Sequence, residues 1–387
     1  MVYLDNNAST RPAPEVTELI CGLLNGSYGN PSSSHIPGIE ARKAIENARE
    51  QTAALIGASS PGEVYFTSGG TESNNIAISG AAALAGRGHI ISTVIEHPAV
   101  LNPLKALKDA GFFEITLVPV DGNGIASVRE IEKAMRKDTA LITVMHANNE
   151  TGTIEPVEEI GALARQRGIL FHTDAAQSVG KIAVDVRKMN VDMLSIAGHK
   201  FHAPKGIGAL YVREGVKIKN TIMYGAGHER GMRPGTENTP YIAGLGKACE
   251  LAGKAFLSGS PEAVSRLGEL LFSLLKKEMP DIAVNCEGAG RLPNTLSLRI
   301  PGIDGPALVS ALKESVAISA GSACHEGTKS PSGVLKAIGL SDEEAFSTVR
   351  ISLGRYTTEE EIREAAGHLQ RACLQLAQAR SGRGFCL

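Results

Sequence analysis

The sequence predicts an α/β protein: a mainly parallel, seven-stranded sheet in a large unit, with a smaller α+β unit beside it. Three observations carry this. Seven short β-rich runs lie between residues 63 and 213, most of them separated by segments of helical composition. These runs are almost continuously apolar, the pattern of strands covered on both faces by crossover helices. Beyond about residue 255 the alternation stops, and helices and strands follow in a different order. The expected boundaries are 12–255 for the large unit, and 1–11 with 256–387 for the small one.

Each element has a local reason. Asp5 and Asn6 lead into a turn. Helical spacing begins near Pro14, with Val16, Leu19, Ile20 and Leu23 on one face. A second helix is predicted over roughly 38–56 and stopped by Gly57. Residues 25–34, rich in Gly, Asn, Pro and Ser, form the loop between them. The β-rich runs are EVYFTS (63–68), HIISTVI (89–95), FEITLVPV (113–120), ALITVMH (140–146), GILFHTD (168–174), DMLSIAG (192–198) and GALYVR (208–213). A helix near 261–278, a strand at NTLSLRI (294–300) and a helix near 306–314 follow. A Gly/Ser-rich loop at 319–333 and a strand at VRISLG (349–354) come next. Thr358-x-x-Glu361 is a capping box opening a long last helix, whose buried face would hold Ile362, Ala366, Leu369, Cys373 and Leu376. No internal repeat is visible, and the SGRG run near the end is expected to be mobile.

Composition removes several classes of function. The chain has 387 residues, enough to bury a core without disulfides or structural metal. Its 39 Lys and Arg against 41 Asp and Glu provide no basic field for nucleic acid or a membrane surface. Trp is absent and aromatics are 4% of residues, a poor base-stacking platform. The six cysteines, Cys21, Cys249, Cys286, Cys324, Cys373 and Cys386, form no C-x-x-C pair and read as free thiols in a reducing compartment. No basic segment with an apolar run opens the chain, and no stretch of 18 apolar residues occurs, so the expectation is a cytoplasmic protein.

Ligands of parallel sheets sit beyond the carboxyl ends of the strands, and four features fall there. Ser68-Gly69-Gly70-Thr71-Glu72 reads as a phosphate cradle at a helix N-terminus, or as a tight turn with a Thr cap. Glu96-His97-Pro98 offers a ring-facing His, or a hydrogen-bonded surface one. Asp174, in His172-Thr173-Asp174-Ala175-Ala176-Gln177, needs a cationic or hydrogen-bonding partner if buried, or it caps the next helix. Lys200, in Ser195-Ile196-Ala197-Gly198-His199-Lys200, is either a surface charge or a buried amine made nucleophilic by a lowered pKa. Together, a phosphate cradle, a ring-facing His, a buried Asp and an amine able to form a Schiff base are what pyridoxal phosphate requires. His199 and His202 stand three apart, but no HExxH or cysteine cluster accompanies them, which leaves metal chemistry weak. No Gly-x-Gly-x-x-Gly follows the first strand, which argues against a nicotinamide enzyme.

On these residues the sequence resembles the NifS/IscS-like cysteine desulfurases, within the class V aminotransferase-like, fold-type I pyridoxal phosphate enzymes. The resemblance runs through YLDNNAST, GNPSSSH, FTSGGTESNN, EHPAV, ANNETG, HTDAAQ, GHKFHAPKGIGALYVR, RPGTEN, LPNT, SAGSAC and RISLGR, nearly the whole chain. It implies that Lys200 tethers the cofactor, His97 stacks on its ring and moves protons, Asp174 pairs with the ring nitrogen, and Gln177 bonds the ring oxygen. It implies a phosphate site of Gly70, Thr71, His199 and, from a neighbouring subunit, Thr236. Asn149, also counted with the cofactor site, and Arg350 would bind the substrate carboxylate. Cys324 would take sulfur from L-cysteine as a persulfide, leaving L-alanine, and pass it to an acceptor such as an iron–sulfur scaffold. A homodimer is implied, and so is a mobile loop around Cys324. One departure stands out: where family members often carry a phosphate-binding Ser, this chain has Ala197, for which Ser195 or a backbone group would have to compensate.

A selenocysteine lyase is the alternative, because GHERGMRPGTENTPYIAGLGKA and the Cys324-His325 pair look like that subgroup. A scaffold without turnover is a further alternative, opposed by the presence of both Lys200 and Cys324.

Overall fold

The computed structural model describes residues 1–219, 222–325 and 328–382, of which 322–325, 328–329 and 380–382 are described by backbone alone. A seven-stranded sheet forms its centre. Across the sheet the strands run Val64–Thr67, Gly208–Val212, Met193–Ala197, Leu170–Asp174, Thr139–Thr143, Gly88–Thr93 and Phe113–Val118. All neighbours are parallel except Gly208–Val212, which is antiparallel to both of its partners. Two reversals restore direction, so Val64–Thr67 points the same way as the five parallel strands. The carboxyl ends of six strands therefore meet along one edge.

Side chains alternate between faces along a strand, and the apolar runs use both. Ile91, Ile142, Leu194 and Ala209 enter one core, packed with the helices Pro14–Gly26, Ile36–Ile56 and Thr239–Leu257. Ile90, Leu141, Met193 and Leu210 enter another, under the helices Gly70–Ala85 and Pro98–Asp109. Each Ile, Leu or Met among them contributes roughly 1.5–3 kcal/mol on burial, which is why both faces of these strands are mainly apolar. Among the polar residues these strands do bury, His172 bonds Thr143 and Ser195, and His89 bonds Thr139 and Thr116, inside the sheet.

A second, antiparallel sheet holds Ser319–Ala320, Thr348–Ser352, Thr295–Arg299 and Ala283–Val284. The N-terminal strand Val2–Tyr3 lies beside Val316–Ala317. Val2 and Leu4 share a core with Leu271, Leu298, Val349, Ile351, Leu369 and Cys373. The capping box forms as expected: Glu361 accepts from the Thr358 backbone N–H at 2.9 Å and Thr358 Oγ1 from that of Glu361 at 3.2 Å. Gly57 stops its helix at φ +67°. That helix begins two residues earlier than predicted, because the His35 ring accepts from Gly38 N and Pro37 starts the first turn.

The Gly/Ser-rich run expected as a loop is partly ordered as sheet. Ser319–Ala320 joins Thr348–Ser352, and Ser322–His325 pairs with Thr328–Pro331, Cys324 standing opposite Lys329. Cys386 and the last residues of the SGRG run lie outside the described residues. Among the described residues no helix is long and apolar enough to cross a membrane.

Candidate active site

A cavity of about 450 Å³ opens at the carboxyl edge of the central sheet, where Arg350 of the second sheet faces it. It is lined by Gly70, Thr71, His97, Asn149, Asp174, Gln177, His199 and Lys200, with Asn7 and Asn74 among the further walls. The fold thus brings together ten of the sequence-predicted positions, Arg350 and Ala197 included, that lie up to 280 residues apart in the chain.

The strand Val64–Thr67 ends in the turn before the helix Gly70–Ala85. Gly69 there has φ +152°, ψ −177°, a conformation open only to glycine. It directs the first turn of the helix, with its free N–H groups, at the cavity. Glu72 closes the turn by accepting from Ser68 N, and Arg233 reaches Glu72 at 3.1 Å. Thr71 is exposed at the cavity mouth.

Asp174 ends its strand 7% exposed. Asn74 Nδ2 donates to one of its oxygens at 2.7 Å and the backbone of Ala176 to the other at 2.9 Å. Sequence reasoning misses Asn74, although it lies three residues after Thr71 in the same motif, one helical turn on.

His97 caps the helix Pro98–Asp109, its Nδ1 accepting from Ala99 N at 3.0 Å, which leaves Nε2 free of that contact. Desolvation lowers the imidazole pKa, Lys200 adds to the drop and Asp174 opposes it. The neighbouring Glu96 is 3% exposed, and burial pushes its carboxyl up to about 8. It accepts from Thr93 Oγ1 at 2.8 Å and Met145 N at 2.9 Å, fixing the turn that carries His97. An acid with a raised folded pKa makes stability fall as pH rises from its unfolded value to its folded one. Glu96→Gln is therefore expected to gain on the wild type by about 1.4 kcal/mol per pH unit between pH 4.5 and about 8. Urea unfolding across that range reads the difference; a constant offset would refute the assignment.

Lys200 Nζ donates to the backbone carbonyls of Asn7 at 2.8 Å and Ala8 at 2.9 Å. Burial and the charge of Arg350 bring its amine down to about 8, against the opposing pull of Asp174 and Asp5. His199, its neighbour, falls to about 4 through burial and the lysines around it, and its Nδ1 meets Ser9 Oγ at 3.2 Å. His202 turns elsewhere: its Nδ1 lies 2.9 Å from Arg11 O and its ring stands edge-on to Tyr356.

Arg350 is held on three sides. Nη1 donates to Asn149 O at 3.0 Å, and Nη2 to Asp5 at 2.9 Å and Ser319 Oγ at 3.0 Å. Its Nε is buried without a partner among the described residues. A planar cation anchored in this way suits a carboxylate.

Ala197 is 3% exposed and lies against Gly70, where a Cβ would stand 3.3 Å from its methyl. Ser195 does not compensate for the missing hydroxyl. It is fully buried and bonded to His172 Nε2 at 3.0 Å, inside the sheet. Thr236 is exposed and is not among the cavity walls. The segment before it is clamped to the sheet edge: Glu229, at φ +46°, accepts from Arg49 at 2.8 and 2.9 Å and from Phe66 N at 2.8 Å. For Cys324 the structure describes the backbone only.

The residues fit an anionic, planar heterocycle. A helix N-terminus faces one end of the cavity, a buried carboxylate with lone pairs to spare lies in its wall, and a depressed amine faces in.

The family model for aminotransferase class V matches residues 2–364. A cysteine desulfurase of Trichormus azollae is 47% identical over 364 residues, which cover 94% of this chain and 90% of the relative. Among solved structures, a NifS-like protein superposes with a TM-score of 0.90 at 38% identity, covering 97% of this chain and 100% of the other. SspA in complex with cysteine does so with 0.82 at 40%, covering 92% and 100%. A match over nearly the whole length, with the same fold, leaves one conclusion: the chain belongs to the aminotransferase class V family.

Proposed function

We infer that this protein is a pyridoxal-phosphate-dependent cysteine desulfurase, converting L-cysteine to L-alanine and passing the sulfur through Cys324 to an acceptor protein. The observation that carries the reading is one cavity holding the depressed amine of Lys200, the buried carboxylate of Asp174 and the anchored guanidinium of Arg350. Support comes also from relatives named cysteine desulfurase at 43–47% identity and from a solved relative in complex with cysteine. Their names do not favour the selenocysteine lyase reading.

Bound pyridoxal phosphate supplies an aldehyde for the amine and an electron sink for a Cα carbanion. The residues divide the remaining work. The first turn of Gly70–Ala85 with Thr71, His199 and a partner's copy of the 233–238 segment holds the phosphate, the last making a homodimer part of the site. Asp174, kept an acceptor by Asn74 and Ala176, holds the proton of the ring nitrogen. Gln177 bonds the ring oxygen. Arg350 and Asn149 orient the substrate carboxylate. Lys200, with a pKa of about 8, exchanges a proton at Cα near neutral pH. His97 stacks on the ring and accepts a proton from a thiol, which at an ordinary pKa is only about 3% thiolate at pH 7. The division into units 12–255 and 1–11 with 256–387 belongs to this reading, the second carrying Arg350 and Cys324.

The test is product analysis. Purified protein with pyridoxal phosphate is expected to release alanine and sulfide from L-cysteine, and Cys324→Ala to lose this reaction while keeping the bound cofactor. Survival of Cys324→Ala turnover on selenocysteine alone would favour the lyase, and no alanine from either amino acid would end the reading. A second expectation concerns position 197. Ala197→Ser places a hydroxyl beside Gly70, and one added hydrogen bond to the phosphate is worth a few-fold to about tenfold in cofactor retention. Dialysis against buffer measures it; unchanged loss of cofactor would put the phosphate elsewhere.

A further inference from the structure

Asn7, 1% exposed, is the joint between the two sheets. Its backbone N–H donates to Ser352 Oγ at 2.9 Å, and its carbonyl accepts from Gln177 Nε2 at 3.0 Å and Lys200 Nζ at 2.8 Å. Its side-chain Nδ2 donates to Thr295 Oγ1 at 2.8 Å and Asn149 O at 3.3 Å. Its Oδ1 accepts from Asn294 Nδ2 at 3.0 Å and Lys181 Nζ at 2.8 Å. Every donor and acceptor of the residue is in use.

Lys181 is the side-chain donor that links Asn7 to Gln177 in this network. Its Nζ also donates to Gln177 Oε1 at 2.7 Å. Nζ donates to Asn7 Oδ1 and to Gln177 Oε1 alike, so the oxygen of the Gln177 amide is the atom that faces Lys181. The NH2 group then faces the other way. One of its hydrogens goes to Asn7 O, and the other is left for the cavity that Gln177 lines. With Lys181 absent, the Asn7 carbonyl, which Lys200 Nζ shares, is the one contact left to set which way the amide faces, and the amide is held less firmly as a donor to the cavity. The backbone beside Lys181 is held against the segment bearing Lys200. Gly180 has φ +79°, and a Cβ on it would lie 2.5 Å from Phe201 Cβ.

We propose that Lys181 is a positioning residue that locks the Gln177 amide as a hydrogen-bond donor toward the ring oxygen of the cofactor, with Asn7 as the shared partner. The inference rests on the function proposed above and assigns a task to a residue that is not among the walls of the cavity.

The experiment is a double-mutant cycle on cofactor binding by the full-length protein, with Lys181→Met and Gln177→Leu. Retention of pyridoxal phosphate and the absorbance band of the bound cofactor are read for all four proteins, and thermal midpoints check folding. Lys181→Met is expected to weaken retention by up to about tenfold, the equivalent of one hydrogen bond, and to shift the band. In the Gln177→Leu background the same change is expected to do neither, because the amide it orients is gone. Lys181→Gln serves if the methionine variant does not fold, with the same direction expected. Unchanged retention and an unshifted band, or an equal loss in both backgrounds, would overturn the proposal. A wild type that takes up no pyridoxal phosphate would instead overturn the function on which it rests.

Discussion

Lys200→Ala is expected to lower alanine formation from L-cysteine by about 10⁴-fold, the upper range for loss of a positioned acid–base group, with little change in thermal midpoint. The size follows from where the amine stands. Two backbone carbonyls, of Asn7 and Ala8, fix Nζ at 2.8 and 2.9 Å, and a pKa of about 8 leaves a useful share unprotonated at neutral pH. Among the described residues no other amine lines the cavity. Lys181, close by, is spent on Asn7 and Gln177. Lys200→Arg is expected to fare no better, since a guanidinium does not give up its proton in a protein. Small primary amines added to Lys200→Ala are expected to restore part of the rate. Activity within about 100-fold of wild type would show that another group moves the Cα proton.

Arg350→Lys is expected to raise KM for L-cysteine by about 100-fold while changing kcat much less, the signature of lost binding common to ground and transition states. Lysine keeps the charge but not the fork. It cannot hold Asn149 O, Asp5 and Ser319 Oγ and still present a second donor to a carboxylate. Arg350→Leu has a further consequence. Arg350 depresses the Lys200 amine, so removing its charge lets that pKa rise. The acidic limb of the kcat profile is then expected to move to higher pH. An unmoved profile with an unchanged KM would remove Arg350 from the site.

Much of this site is legible in the amino-acid sequence. Gly70, Thr71, His97, Asp174, His199 and Lys200 follow strands whose apolar runs are unmistakable, and parallel strands bring their carboxyl ends to one edge. The residues that sequence reasoning misses are of another kind. Asn7, Asn74 and Lys181 are polar groups whose partners lie far off in the chain: Asn74 and Asp174 are 100 residues apart, Asn7 and Ser352 are 345 apart. Periodicity carries no signal for such pairs. Ser195 as a substitute phosphate ligand fails for the same reason. Its place in the strand is plain from the sequence, but not that His172 on the neighbouring strand takes its hydroxyl.

The order of elements, the two-sided burial of the strands and the edge on which chemistry collects are set by local composition and periodicity, because the hydrophobic effect acts on each segment's own pattern. The antiparallel place of Gly208–Val212, the depressed amine of Lys200 and the Asn7 joint are decided by packing alone. Desolvation and hydrogen bonding depend on which distant groups meet, and only the folded chain decides that.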